Sequence, residues 1–131
     1  MASPQAGILA LGTNSHAYLE LDLVADAQPA TRSPASPPSA SLERQSVASH
    51  LVCGFRPELW AVASPDAAPL GVVGFNEPLI GPTGYALPAT QHDVVIWLAD
   101  CGYDTVFDLS RGVVTELADV ATPANEMVGW S

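Results

Sequence analysis

Between residues 16 and 23 the chain alternates polar and apolar side chains without a break. Ala17, Leu19, Leu21 and Leu23 fall on one side, and His16, Tyr18, Glu20 and Asp22 on the other. This is the period of a strand with one buried face. A second short run, residues 51–55 (Leu-Val-Cys-Gly-Phe), predicts another strand. Residues 94–99 (Val-Val-Ile-Trp-Leu-Ala) are apolar on both alternating faces, which predicts a strand covered on both sides and central in its sheet. From Asp104 the period lengthens. Val106, Leu109 or Ser110, Val113 and Leu117, with Phe107 and Val114 beside them, form a helical stripe. Asp104 is the expected N-cap, and Gly112 costs that helix roughly 1 kcal/mol relative to Ala. Residues 126–130 predict a last strand.

Breakers punctuate the rest. Pro29, Pro34, Pro37 and Pro38, set among Ser and Ala, make residues 28–41 a Pro/Ser-rich flexible insert, because proline removes backbone donors and cannot sit inside a helix. A short first helix begins only after it, with Ser41 as N-cap and about two turns up to Ala48. Residues 57–91 carry Pro65, Pro69, Pro78, Gly81, Pro82, Gly84 and Pro88, and predict a long irregular excursion. Loops of that length in compact domains usually serve function or interfaces. The order strand, helix, strand, strand, helix, strand is that of an α+β, ferredoxin-like (βαββαβ) unit. It predicts one domain over residues 1–131, a four-stranded antiparallel sheet with helices on one face. The first and third strands are central in that topology, which agrees with the doubly apolar 94–99 run.

Charge narrows the partners. Fourteen acidic residues stand against four arginines (Arg32, Arg44, Arg56, Arg111) and no lysine, for a formal charge of −10. Phosphate backbones and anionic lipid both require clustered cations, so nucleic acid and membrane surfaces are excluded as expected partners. No apolar run approaches the ~20 residues that cross a bilayer. The opening Met1-Ala2-Ser3-Pro4-Gln5 lacks a basic, then apolar, leader, so a cytoplasmic chain is expected. Cys53 and Cys101 lack metal or redox spacing; whether they pair stays open, and two reduced, mostly buried thiols are the expectation.

Several stretches occur in an order that resembles the dye-decolourising (DyP-type) haem peroxidases. Gly7-Ile8-Leu9-Ala10-Leu11-Gly12-Thr13, running into residues 16–23, is similar to that family's first strand and its lead-in. Leu51-Val52-Cys53-Gly54-Phe55, followed by Leu59-Trp60, resembles its second strand. Gly81-Pro82, then Pro88-Ala89-Thr90-Gln91-His92-Asp93-Val94-Val95-Ile96, is similar to its approach to the third strand. Val128-Gly129-Trp130 resembles the Gly-aromatic strand near the end of the family's N-terminal half. The 28–41 insert departs from the pattern, since the family has a longer first helix there. What the resemblance implies is an N-terminal half only. The family's Gly-x-x-Asp-Gly-Thr motif with its distal acid, the axial histidine and the distal arginine all come later than Ser131. The complete enzyme would use haem b and peroxide to oxidise dyes and other reductants. On this chain no catalytic, cofactor-binding or metal-binding residue is expected, and no haem on the chain alone.

Haem iron needs an axial ligand, and His16, His50 and His92 do not match the family's axial position. His92 and Asp93 suggest a base and its orienter, but neighbours on an extended segment point apart, and Asp93 is expected to end the preceding turn. Glu20 and Asp22 share a strand face about 7 Å apart, able to act as acid and base or to bind a cation; a solvated or interface-lining face is the expectation. Trp60, Trp97, Trp130, Tyr18, Tyr85 and Tyr103 include candidates for the surface relay that the resemblance implies, against the expectation of core or interface packing. If Ala17, Leu19, Leu21 and Leu23 lie under the helices, one alternate set of the third strand is left uncovered, either Val95, Trp97 and Ala99 or Val94, Ile96 and Leu98. That face is the expected docking surface for the missing C-terminal, haem-binding half, or for self-association. The rivals are a free-standing dimeric ferredoxin-like binding module and a small dimeric α/β-barrel enzyme with Glu20, Asp22 or a histidine at its pocket.

Overall fold

Long-range backbone pairing joins the strands into one antiparallel sheet. The structure, a computed structural model, describes residues 4–9, 11–24 and 49–130. The strands of the main sheet are β1 (Ser15–Leu23), β2 (His50–Phe55), β5 (Val94–Asp100) and β6 (Ala121–Trp130), in the order β2-β5-β1-β6. In sequence rank this is 2-3-1-4, with every pair antiparallel. It is the ferredoxin-like order, and the first and third strands are indeed central. The 28–41 insert and the helix predicted over 42–48 lie outside the described residues.

The core forms where the alternating face of β1 meets the helical stripe. Ala17, Leu19 and Leu21 are buried against Val94, Ile96 and Leu98 of β5, beneath Val106, Leu109 and Val113 of helix α2 (Tyr103–Leu117). Leu109 and Ser110 are both buried, and Ser110 Oγ satisfies itself by donating to the Phe107 carbonyl at 2.8 Å. Leu23, at the end of β1, is only partly buried.

Three expectations are corrected. Asp104 is not the N-cap of α2: the cap position is Gly102, and Asp104 lies in the first turn. No side chain caps α2; Asp100, at the end of β5, instead accepts the N–H groups of Cys101 (2.6 Å) and Gly102 (3.2 Å) in the turn ahead of the helix. β6 starts at Ala121, five residues before the predicted strand, because Thr122 and Pro123 pair with Asp22 and Leu21. The 57–91 excursion is not wholly irregular. It opens with helix α1 (Pro57–Ala63), where proline occupies the first turn and so loses no hydrogen bond, and later forms a small hairpin of β3 (Leu79–Ile80) and β4 (Ala86–Leu87). Leu59 of α1 packs against the same core as α2. The excursion is tied back by side chains: Glu58 accepts from Asn76, Gln91 donates to Asn76, and Gln91 Oε1 accepts the Phe75 N–H at 3.0 Å. A Cβ at Gly74 would lie 2.7 Å from Glu58 Oε1 and 2.9 Å from Gln91 Nε2, so a side chain there would displace these tethers.

The two sheet edges differ. At β2, the Gln5 side chain donates to the Cys53 carbonyl (2.7 Å) and accepts the Cys53 N–H (2.8 Å), as a neighbouring strand would. The 3-10 turn Ala6–Leu9 follows it, with Gly7 close against Val52. At the other edge, β6 pairs with β1 alone among the described residues.

Candidate functional site

Register decides what shares the face of the sheet turned away from α2. His50, Ala99, His16 and Gly129 form one cross-strand row; Val52, Trp97, Tyr18 and Met127 the next; Gly54, Val95, Glu20 and Asn125 the third. Of the two alternatives left open by β5, the set turned away from α2 is therefore Val95, Trp97 and Ala99. Val95 is 41% exposed, whereas Ile96 beside it is 1% exposed. Ala99 is buried although it lies on this face.

The middle of the face is aromatic. Tyr18 stacks on Trp97 with centroids 5.8 Å apart, and the Trp97 indole N–H donates to His16 Nδ1 at 3.3 Å. These rings are packed on one another within the sheet face. Trp60 meets Phe55 edge to face, while Trp130, Tyr85 and Tyr103 are exposed.

At one end of the face three of the weighed residues come together. His92 Nδ1 lies 2.9 Å from Asp22 Oδ1, and its Nε2 lies 3.8 Å from Glu20 Oε2. An ionised carboxylate only accepts, so Nδ1 carries the proton in this pairing. Asn125 Nδ2 donates to Glu20 Oε2 at 3.0 Å. Asn125 was not legible as a site residue, because a β-bulge that leaves Ala124 unpaired between Asn125 and Pro123 sets its register. The place of His92 had a signal: antiparallel pairing brings the two residues before β5 beside the end of β1. Asp93 points the other way. Its Oδ2 accepts the Leu23 N–H at 2.9 Å and its Oδ1 pairs with Arg56 at 3.1 Å, locking the ends of β1, β2 and β5. His50 stands at the start of β2, apart from this cluster.

What can the arrangement do? An apolar centre with a polar, acidic rim is the composition of a docking surface. Among the described residues no group of three or more His, Cys, Asp or Glu side chains is arranged to hold a metal ion. No histidine among the described residues faces an apolar cavity as an axial haem ligand would. The apolar cavity of about 270 Å³ is lined by Gly54, Phe55, Pro57, Trp60, Ala61, Ala68, Pro69 and Val72, with no histidine. The histidines lie instead on a sheet surface, among carboxylates and an indole. Cys53 and Cys101 are unpaired thiols. Burial pushes the Cys53 thiol pKa up, whereas Cys101 is exposed, contrary to the expectation of two buried thiols. Among the described residues no helix is long and apolar enough to cross a membrane.

No protein-family model matches the chain, and no curated protein sequence does. Solved structures do. A variant of Rhodococcus jostii DypB in complex with heme aligns at 25% identity and TM-score 0.78, covering 98% of this chain and 43% of that one. A DyP-type peroxidase protein from Shewanella oneidensis aligns at 16% identity and TM-score 0.78, and a dye-decolorizing peroxidase from Bacteroides thetaiotaomicron at 15% and 0.71. These cover 99% and 97% of this chain, and again 43% of theirs. The chain thus spans less than half the length of the structures it matches. Over nearly its whole length it resembles the DyP-type haem peroxidases, and its α+β fold is theirs.

Proposed function

We propose that this chain is the N-terminal scaffold domain of a DyP-type haem peroxidase, and that a second, C-terminal half covers the open sheet face and supplies the haem site. The observation that carries this reading is the pairing of a near-complete match on this side with a 43% match on the other. The open face supports it. Val95, Trp97, Tyr18, Val52 and Met127 form an apolar centre that α2 does not cover, with Glu20, Asp22 and His92 at its rim. A second half laid on this face would bury that centre and leave the rim to bond across the boundary. Haem b would be held by residues of that half, and the complete enzyme would oxidise dyes and other reductants with peroxide in the cytoplasm. The scaffold contributes shape and a wall, not ligands.

The test is co-expression of this chain with the polypeptide encoded downstream of Ser131, followed by absorbance spectroscopy. A Soret band and peroxide-dependent dye oxidation in the pair, with neither in this chain alone, is the expected result. A stoichiometric, histidine-ligated Soret band from this chain alone would overturn the assignment of the haem site to the second half. A pair that never associates, even at high concentration, would overturn the docking.

A further inference from the structure

We propose that the free edge of β6 is a strand-pairing surface whose occupant is a second copy of this chain, joined antiparallel through residues 125–130. The reasoning starts from the unequal treatment of the two edges. An unpaired edge is a template for another strand, and proteins blunt it with charge, proline, bulges or a covering segment. The β2 edge is blunted by the Gln5 amide and the turn behind it. The first part of β6 is blunted by Pro123, which has no N–H, and by the bulge at Ala124. From Asn125 to Trp130 there is no proline or bulge, no covering segment among the described residues, and Glu126 is the one charge. Met127, Val128 and Trp130 are 48%, 44% and 82% exposed there.

Charge selects the occupant. The chain carries −10 overall, which opposes self-association through most of its surface. Within residues 121–130 the only ionisable side chain is Glu126, and Arg111 of α2 pairs with it. The edge is therefore locally neutral in a strongly acidic molecule. A two-fold axis normal to the sheet, centred on Val128, places Glu126 opposite Trp130 and never opposite its own copy. Like charges are not brought face to face. The same axis leaves both open faces on one side, still available to a second half, so the inference does not depend on the docking reading above.

Sedimentation velocity of the intact chain over a concentration series tests it. We expect a concentration-dependent dimer that tightens as salt screens the net charge. Val128→Lys sets two cations across the axis and weakens the dimer by about tenfold or more, while Val95→Lys on the open face leaves it unchanged. Deuterium exchange on the unmodified chain provides a readout independent of folding of the variants, with alternate amides of 125–130 gaining protection as concentration rises. A monomer at every concentration overturns the proposal. So does a dimer lost in Val95→Lys but kept in Val128→Lys, which would assign association to the open face.

Discussion

Adjacent residues on β5 offer the sharpest test of which face of this sheet is its core. Ile96 is 1% exposed beneath α2, and Val95, one residue earlier, is 41% exposed on the opposite face. Ile96→Ala removes three buried carbons, about 2.4 kcal/mol at ~0.8 kcal/mol each. The site sits between Leu19 of β1 and Cys53 of β2, paired on both sides, so it cannot collapse freely. A residual cavity brings the expected loss to ~3–4 kcal/mol. Val95→Ala removes two carbons already partly in water, and costs about 1 kcal/mol after that discount. Urea unfolding followed by far-UV circular dichroism measures both, with unchanged m-values required for a direct comparison. At roughly 4 °C per kcal/mol the gap between the variants is about 10 °C in Tm. Equal losses, or a larger loss at Val95, would refute the assignment of the open face and the docking argument built on it.

Other outcomes follow from single contacts. Asp93→Ala removes the acceptor for the Leu23 N–H and the partner of Arg56, and costs about 2 kcal/mol in the same unfolding assay. A thiol reagent followed by mass spectrometry labels exposed Cys101 in the native chain, and Cys53 only on unfolding, since its burial disfavours the thiolate; equal labelling rates contradict the placement of Cys53. The Asn76 side chain, and then the backbone, hold the Glu58 carboxyl below its ordinary value of 4.5. Its folded pKa is depressed, so its contribution is present above that value and lost as pH falls below it. The protection of amides 74–77, measured against their intrinsic exchange rate at each pH, therefore falls on acidification through that range in the native chain, and does so less in Asn76→Ala.

How far the fold was legible varies with how local each signal is. The strand at 15–23 was readable because its alternation is complete, and α2 because Val106, Leu109, Val113 and Leu117 repeat at helical spacing over fifteen residues. Helix α1 was missed because seven residues give too short a window for periodicity, and its opening proline reads as a breaker as readily as a first-turn residue. Asp104 reads as a cap because it is the acidic residue just before the stripe. Asp100, which still belongs to β5, turns its oxygen on the next two N–H groups and tightens the turn into the helix without capping it.

The candidate site divides in the same way. That Glu20 and Asp22 share a face follows from period two and needs no fold. That His92 joins them requires antiparallel pairing across seventy residues, and that Asn125 joins requires the bulge. By itself, the sequence determined the element order, the central position of the doubly apolar strand and the resemblance that order carries, because each depends on patterns within one segment. Only the tertiary structure decided which side of β5 is core, because Val95 and Ile96 are equally apolar. Contact with α2, not composition, tells them apart.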